Sequence, residues 1–325
     1  MLTAPESRVW ILSDGKPGME NQCLGLAEAL GFFPSIKRIK PRFPWSILPP
    51  HLWLKPLLAP GLGGDELKPP WPNVLISTGR QTVAPALAIK KANLGKTFCI
   101  QIQNPAIWHN HFDILVVPAH DGINRENAIV TVGAPNHITE EKLLQASLKL
   151  RNTINFLPRP LIAVLVGGSN KHYRMTNSSA RSLAEKLLVL STKNGAGLAL
   201  TFSRRTDPET EDTLRTILSE SRSWFWDGKG ENPYLGLLGL ADAFVVTADS
   251  VSMVSEACST GKPVYIAPLE GGSKKFEHFH ENLRNSGITR PFNGTLENWE
   301  YQPLDDTKTV AAEIKRRMCK TTTNG

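Results

Sequence analysis

The sequence has little cysteine, no long apolar run and none of the common nucleotide fingerprints. Cys23, Cys99, Cys258 and Cys319 are scattered over 325 residues, so no C-x-x-C pair or thiolate metal spacing exists. Three of the four fall in apolar-periodic segments, which predicts buried thiols in a reducing compartment. No run reaches the roughly 18 apolar residues of a membrane-spanning helix. No basic-then-apolar leader precedes the first expected strand. The spacings G-x-x-x-x-G-K-[ST] and G-x-G-x-x-G are absent, which argues against a P-loop and against a dinucleotide-type dehydrogenase or epimerase site. A serine nucleophile elbow, a D-x-D pair and an H-E-x-x-H pair are also missing. His278 and His280, beside Glu277 and Glu281, read as a solvated helix face.

Composition is that of a globular protein, 41% hydrophobic and 21% charged, long enough for two domains. Net charge is +7, with +5 before and +2 after Phe156. The excess sits between Ala29 and Gly64, where Lys37, Arg38, Lys40, Arg42 and Lys55 meet no acid. Such a patch favours phosphates or an anionic surface. No nucleic-acid motif or aromatic stacking array accompanies it, so nucleic acid is not an expected partner. Within it, Pro41 to Pro60 is apolar, aromatic and basic, and its prolines forbid one long helix. It reads as short helices packed on the core, or as an interfacial patch with Trp45 and Trp53 at headgroup level.

Apolar runs alternate with helical periodicity along the chain. Strands are expected near 8–12, 35–39, 73–77, 97–103, 114–117 and 128–132, then again near 161–166, 197–202, 224–226, 243–247 and 263–267. Helices lie between them, including 20–30, 82–91, 139–151, 177–192, 233–240, 251–259, 274–286 and 305–320. The pattern starts twice, with Asn155 to Arg159 as the linker candidate. It predicts an α/β protein of two doubly wound, Rossmann-like domains, 1–156 and 157–325. Ligands in such folds bind at the carboxyl ends of strands.

Four polar loops in the second half fall at those ends. They are Gly167-Gly168-Ser169 with Lys171, Ser203-Arg204-Arg205-Thr206, Asp249-Ser250 with Ser252 and Glu256, and Gly271-Gly272-Ser273-Lys274. Glycines let backbone approach a diphosphate, and serines with a helix start donate to it. Arginine offers a planar fork to phosphate and lysine a point charge. An acid on the helix can accept from ribose or sugar hydroxyls. The bland alternative is that the arginines only pair with acids on the next helix. In the first half, Asp14 ends a strand and could act as a base or cap its loop. His120-Asp121 at another strand end is an acid–base pair or ordinary turn chemistry.

Two resemblances rest on these residues. Ala241-Asp242 before an apolar strand, then Ser255-Glu256-Ala257 and Gly261-Lys262-Pro263-Val264, resembles the nucleotide half of GT-B glycosyltransferases such as MurG. That likeness implies two domains facing across a cleft, a last helix able to cross back to the first domain, and Glu256 on the ribose. Asp249-Ser250 departs from the family's glycine-containing turn. The segments SDGKPGMENQ, LISTGRQTVAPALAI, IQIQNP, FDILVVPAHD, VLVGGSNKHYRMT, TFSRRT, TADSVSMVSEACSTGKPVYI and FHENLRNSGITRPF resemble the mitochondrial fission Elm family over nearly the whole chain, in its bacterial form. Plant members of that family act in organelle fission by recruiting a dynamin-related protein. Met19 stands where MurG-like enzymes carry a candidate basic His, which leaves Asp14, Glu20 or His120. The resemblances imply a nucleotide sugar as co-substrate, no metal or other cofactor, and metal-independent glycosyl transfer by a cytoplasmic protein peripheral on the inner membrane through 37–60. The alternative they imply is a non-catalytic, membrane-associated adaptor that recruits a protein partner.

Overall fold

The computed structural model describes residues 8–323, with side chains through 319. The expectation that no leader precedes the first strand falls on residues 1–7, outside the described residues. The chain divides into two compact units, 1–137 with 305–325, and 138–304.

The first unit opens with β1 (Val9–Ser13), whose five residues are all buried. Helix α1 (Pro17–Leu30) starts on a proline, whose missing N–H costs nothing there, and ends at Gly31 with φ 84°. Then follow β2 (Ser35–Arg38), β3 (Val74–Thr78), α2 (Val83–Ala92), β4 (Phe98–Ile102), β5 (Ile114–Pro118) and β6 (Ala128–Thr131). They form one parallel sheet in the order β2-β1-β3-β4-β5-β6. Alternate strand residues supply the two faces: Ile11, Ile76, Ile100 and Val116 pack with Leu26, and Leu12, Leu75, Cys99 and Leu115 pack with Ile89. Between β2 and β3 the expected short helices are only two single 3-10 turns, Pro50–Leu52 and Pro56–Leu58. Pro41 bridges Pro60 and closes the segment at its base.

In the second unit, α3 (Glu140–Ile154) precedes β7 (Leu161–Val166), β8 (Tyr173–Arg174), α4 (Asn177–Asn194), β9 (Gly197–Phe202), α5 (Pro208–Ile217) and β10 (Ser223–Phe225). Next come α6 (Tyr234–Leu240), β11 (Ala243–Thr247), α7 (Val251–Cys258), β12 (Val264–Ala267), β13 (Glu270–Gly271), α8 (Lys274–Asn285) and β14 (Thr289–Pro291). The six-stranded parallel sheet runs β10-β9-β7-β11-β12-β14. The chain builds outward from β7 through β9 to β10, then returns to lay β11 on the other side of β7. The switch point is therefore β7/β11, whose carboxyl ends lead into the loops beginning at Gly167 and Ala248. The sequence reading lacked β14 and the antiparallel pair β8–β13, which are two or three residues each.

The unit boundary differs from the expected 156/157. Helix α3 joins the second unit because Leu150 and Ile154 are buried with Leu237, Leu238 and Leu240 of α6. The contact is close: a Cβ on Gly239 would lie 2.0 Å from Ser147 Oγ. The expected linker is structural too, since Leu157 is in that core and Pro158 O accepts from Gly197 N.

The last helix, α9 (Asp306–Thr323), belongs to the first unit. Val310, Ala311, Ile314 and Met318, at helical spacing, are buried with Leu26, Ala27 and Leu30. Asp306 Oδ1 and Oδ2 accept from Val132 N (2.9 Å) and Gly133 N (2.8 Å). Lys315 Nζ donates to Ala29 O at 3.0 Å.

Candidate functional site

The site is built at the β7/β11 switch point of the second unit. Strand β11 is wholly buried, so the chain leaves it at a fixed place, and the polar residues begin at Thr247. Thr247 Oγ1 accepts from Gly167 N (2.7 Å) and donates to Asp249 Oδ1 (2.7 Å). Asp249 Oδ2 accepts from Gly168 N (3.1 Å) and from Arg205 Nη2 (2.7 Å). The Asp249 side chain is fully buried. This one carboxylate thus ties together the loops after β7, β9 and β11.

The two glycines answer to that knot. A Cβ on Gly167 would lie 2.1 Å from Asp249 Oδ1, and one on Gly168 would lie 2.0 Å from Arg205 O. Their smallness admits a carboxylate and a neighbouring backbone, which the sequence reading had assigned to a diphosphate. Arg205 likewise pairs with Asp249 across the site and not with an acid on the following helix. Thr206 Oγ1 donates to Gly167 O at 2.5 Å and accepts from Ser203 N at 3.1 Å. Ser203 Oγ accepts from Arg205 N at 3.1 Å.

The turn after Gly168 is held by Asn170, whose Oδ1 accepts from His172 N (2.7 Å) and Tyr173 N (2.9 Å). Ser169 Oγ accepts from Met175 N at 3.0 Å. The β8–β13 ribbon then joins this turn to the start of α8, with Phe276 packed edge-on against Tyr173. Lys171, Lys274 and Arg204 are exposed around these loops. Ser250 caps α7, its Oγ accepting from Met253 N at 3.3 Å. Ser252, in the first turn of α7, is half-buried.

Glu256 lies one and a half turns into α7 and is only 6% exposed. Its Oε2 accepts from Tyr234 Oη at 2.5 Å. Oε1 has no hydrogen-bond donor among the described residues. Burial pushes the carboxyl up to about 7, against a smaller lowering by the Tyr234 hydrogen bond. Tyr234 is pushed well above its ordinary value, first by burial and then by the charge of Glu256.

His280 belongs to this site as well, and the solvated-face expectation for it fails. Its Nε2 lies 2.9 Å from Ala248 O, and its buried Nδ1 has no hydrogen-bond partner. Burial lowers its pKa, which favours the neutral ring donating from Nε2. Thr247, Asn170 and Tyr234 were not singled out from sequence, Thr206 was named only as the end of its loop, and His280 only as part of a solvated helix face. The periodicity of α8 did carry the His280 signal, because Phe279 and Leu283 fix its inner face.

The candidates in the first unit are occupied. Asp14 Oδ1 accepts from Lys16 N at 3.2 Å, and Oδ2 is ion-paired with Lys16 Nζ at 2.5 Å. Glu20 receives a two-pronged contact from Arg38, Nε to Oε2 at 2.9 Å and Nη2 to Oε1 at 2.7 Å. His120 is half-buried in the single turn Ala119–Asp121. Met19 covers Gly79 in the loop after β3, where a Cβ would lie 2.6 Å from its methyl.

The pattern of the family described as Mitochondrial fission ELM1 matches residues 17–318. The chain belongs to the mitochondrial fission ELM1 family. A relative in Arabidopsis thaliana, "Mitochondrial fission protein ELM1", is 32% identical over 274 residues, 76% of this chain. That match spans 64% of the Arabidopsis protein's length. "Uncharacterized protein RP120" of Rickettsia prowazekii is 29% identical, over 94% of this chain and 97% of that one. Among solved structures, the UDP-GlcNAc 2-epimerase of Methanocaldococcus jannaschii aligns with a TM-score of 0.56, 13% identity, and 96% and 99% of the two chains. The Medicago truncatula protein UGT71G1, solved with UDP-glucose, aligns at 0.51 and 12% identity over 98% and 90%. The ELM1-family chain therefore has the α/β fold of GT-B proteins, with two Rossmann-like sheets.

Proposed function

We propose that the second unit binds a nucleotide sugar at the β7/β11 switch point and that the protein is a metal-independent glycosyltransferase. The observation that carries this is Glu256. It is a buried carboxylate on the helix leaving the switch point, with one oxygen held by a protein hydroxyl and the other without a donor among the described residues. The structural neighbours include an epimerase solved with UDP-GlcNAc and UDP, which supports a ligand of that class. Arg205 is already oriented by Asp249, and Arg204, Lys171 and Lys274 add positive charge, which suits a diphosphate. In the transfer, an acceptor hydroxyl forms the new bond to the anomeric carbon. The bond to the diphosphate breaks, its electron pair leaves with the phosphate, and the acceptor's proton goes to a base. Asp14, Glu20 and His120 are the sequence candidates for that base, and Asp14 and Glu20 are held in ion pairs with Lys16 and Arg38.

Calorimetric titration with UDP-, GDP- and CMP-sugars tests this reading. One base class should bind, and Glu256→Ala should weaken it about tenfold or more, roughly 1.4 kcal/mol. Binding by none of them, or equal binding by the variant, would overturn it.

A second reading is that the fold serves as a membrane-associated adaptor. One observation favours it: both acids proposed for catalysis in the first unit are neutralised by neighbouring cations. In either reading the protein docks peripherally on an anionic membrane face through residues 37–60. The exposed Phe43, Ile47, Leu54 and Leu58 of that segment, set among Lys40, Arg42 and Lys55, support such docking.

A further inference from the structure

The Glu256–Tyr234 contact carries more than a place for a ribose. Tyr234 is the first residue of α6, immediately after a loop that turns through Gly228 and Gly230 at φ 79° and 76°. Its ring is half-buried, and its hydroxyl reaches across to the second turn of α7. A carboxylate that receives a vicinal diol must be ionised and correctly oriented, and a single hydroxyl donor on one oxygen provides both. Several titratable groups near α7 have partners of their own: Tyr301 Oη donates to Lys262 O at 2.7 Å, and His280 Nε2 lies 2.9 Å from Ala248 O. Tyr265 of β12 hydrogen-bonds Glu297 in the opposite core, and Lys262 Nζ donates to Leu238 O and Gly239 O. Strand β11 carries no titratable residue. Cys258, on α7 itself, is buried and its thiol is pushed up by burial.

We propose that Tyr234 is a positioning residue for nucleotide binding: by donating to Oε2 it keeps the Glu256 carboxylate ionised and oriented, and presents Oε1 to a ribose hydroxyl. This rests on the nucleotide reading above. It adds that affinity depends on one proton and that selectivity for ribose over deoxyribose is set through a residue that does not touch the ligand. Because burial holds Glu256 near pH 7, binding strengthens as pH rises through neutrality. Without the Tyr234 hydroxyl the carboxyl holds its proton to higher pH. A hydrogen bond to a charged group corresponds to about one pH unit.

The test is UDP and 2′-deoxy-UDP binding by wild type and Tyr234→Phe, measured by calorimetry at pH 6.0, 7.0 and 8.5. Comparing the two proteins at each pH cancels the ligand's own titration. Tyr234→Phe should bind UDP about fivefold more weakly at pH 7.0 and within about twofold of wild type at pH 8.5. The preference for UDP over 2′-deoxy-UDP should shrink at pH 7.0 in parallel. A defect of the same size at every pH indicates a packing role only and overturns the proposal, as does a variant that matches wild type throughout. If wild type fails to bind UDP at any pH, the nucleotide reading for UDP falls and takes this inference with it. If wild type binds and the variant's pH profile is unmoved, only the role of Tyr234 falls.

Discussion

At the scale of single residues, the second unit ties one buried carboxylate, Asp249, into its loops and leaves another, Glu256, with a single protein hydroxyl as its donor. Asp249 is satisfied by Thr247, Gly168 and Arg205. Asp249→Ala would leave a buried N–H and a guanidinium without their acceptor, so we expect a loss of roughly 3 kcal/mol, read as a lower urea midpoint at unchanged slope. Gly168→Ala should be as damaging as Gly167→Ala or more so. The first meets the Arg205 backbone, whereas the second meets the Asp249 carboxylate, which moves only by giving up its own hydrogen bonds. Glu256 behaves in the opposite sense. Its ordinary value of 4.5 is raised to about 7 in the folded protein. The native state therefore holds the proton more tightly than the unfolded chain between those values, and stability falls as pH rises from about 4.5 to about 7. Glu256→Gln keeps an acceptor for Tyr234 and removes that cost. It should match wild type near pH 4 and exceed it by roughly 3 kcal/mol at pH 8, measured by denaturation at both pH values.

At the scale of elements, the segment between β2 and β3 is held in shape by its own side chains. Trp45 Nε1 donates to Leu54 O and Trp53 Nε1 to Leu48 O, while Arg42 lies over the Trp45 ring. With the backbone thus fixed, Phe43 is left 75% exposed and Leu54 81% exposed. The composition was readable from sequence, and so was the exclusion of a long helix. The outward direction of the apolar residues was not, because proline-rich turns have no periodicity from which to assign a face. Flotation with vesicles containing anionic lipid should fall several-fold when Lys37, Lys40, Arg42 and Lys55 become Gln, and also when Phe43, Ile47 and Leu54 become Ser. The first loss should be mimicked by raising salt and the second should not. Arg38 is left out of that set because it serves Glu20.

At the scale of the whole molecule, the end of the chain completes the first unit. Ile314 of α9 is fully buried in the core containing Leu26 and Leu30, so Ile314→Ala should cost about 2–4 kcal/mol in chemical denaturation. An unchanged midpoint would show that α9 is not part of that core. The sequence by itself determined the α/β class, the doubly started strand–helix pattern and the polar loops of the second unit, including Glu256. Those features depend on local periodicity and on the order of elements along the chain. It also led to the expectation that three of the four cysteines are buried, and Cys23, Cys99 and Cys258 are. Only the tertiary structure decided that Asp249 binds three loops together, that Tyr234 engages Glu256 from another helix, and that α3 belongs to the second unit, whereas the return of α9 to the first unit was already implied by the GT-B likeness. Each of these is a contact between residues distant in sequence, fixed by sheet order and close packing, and no local propensity encodes such a partner.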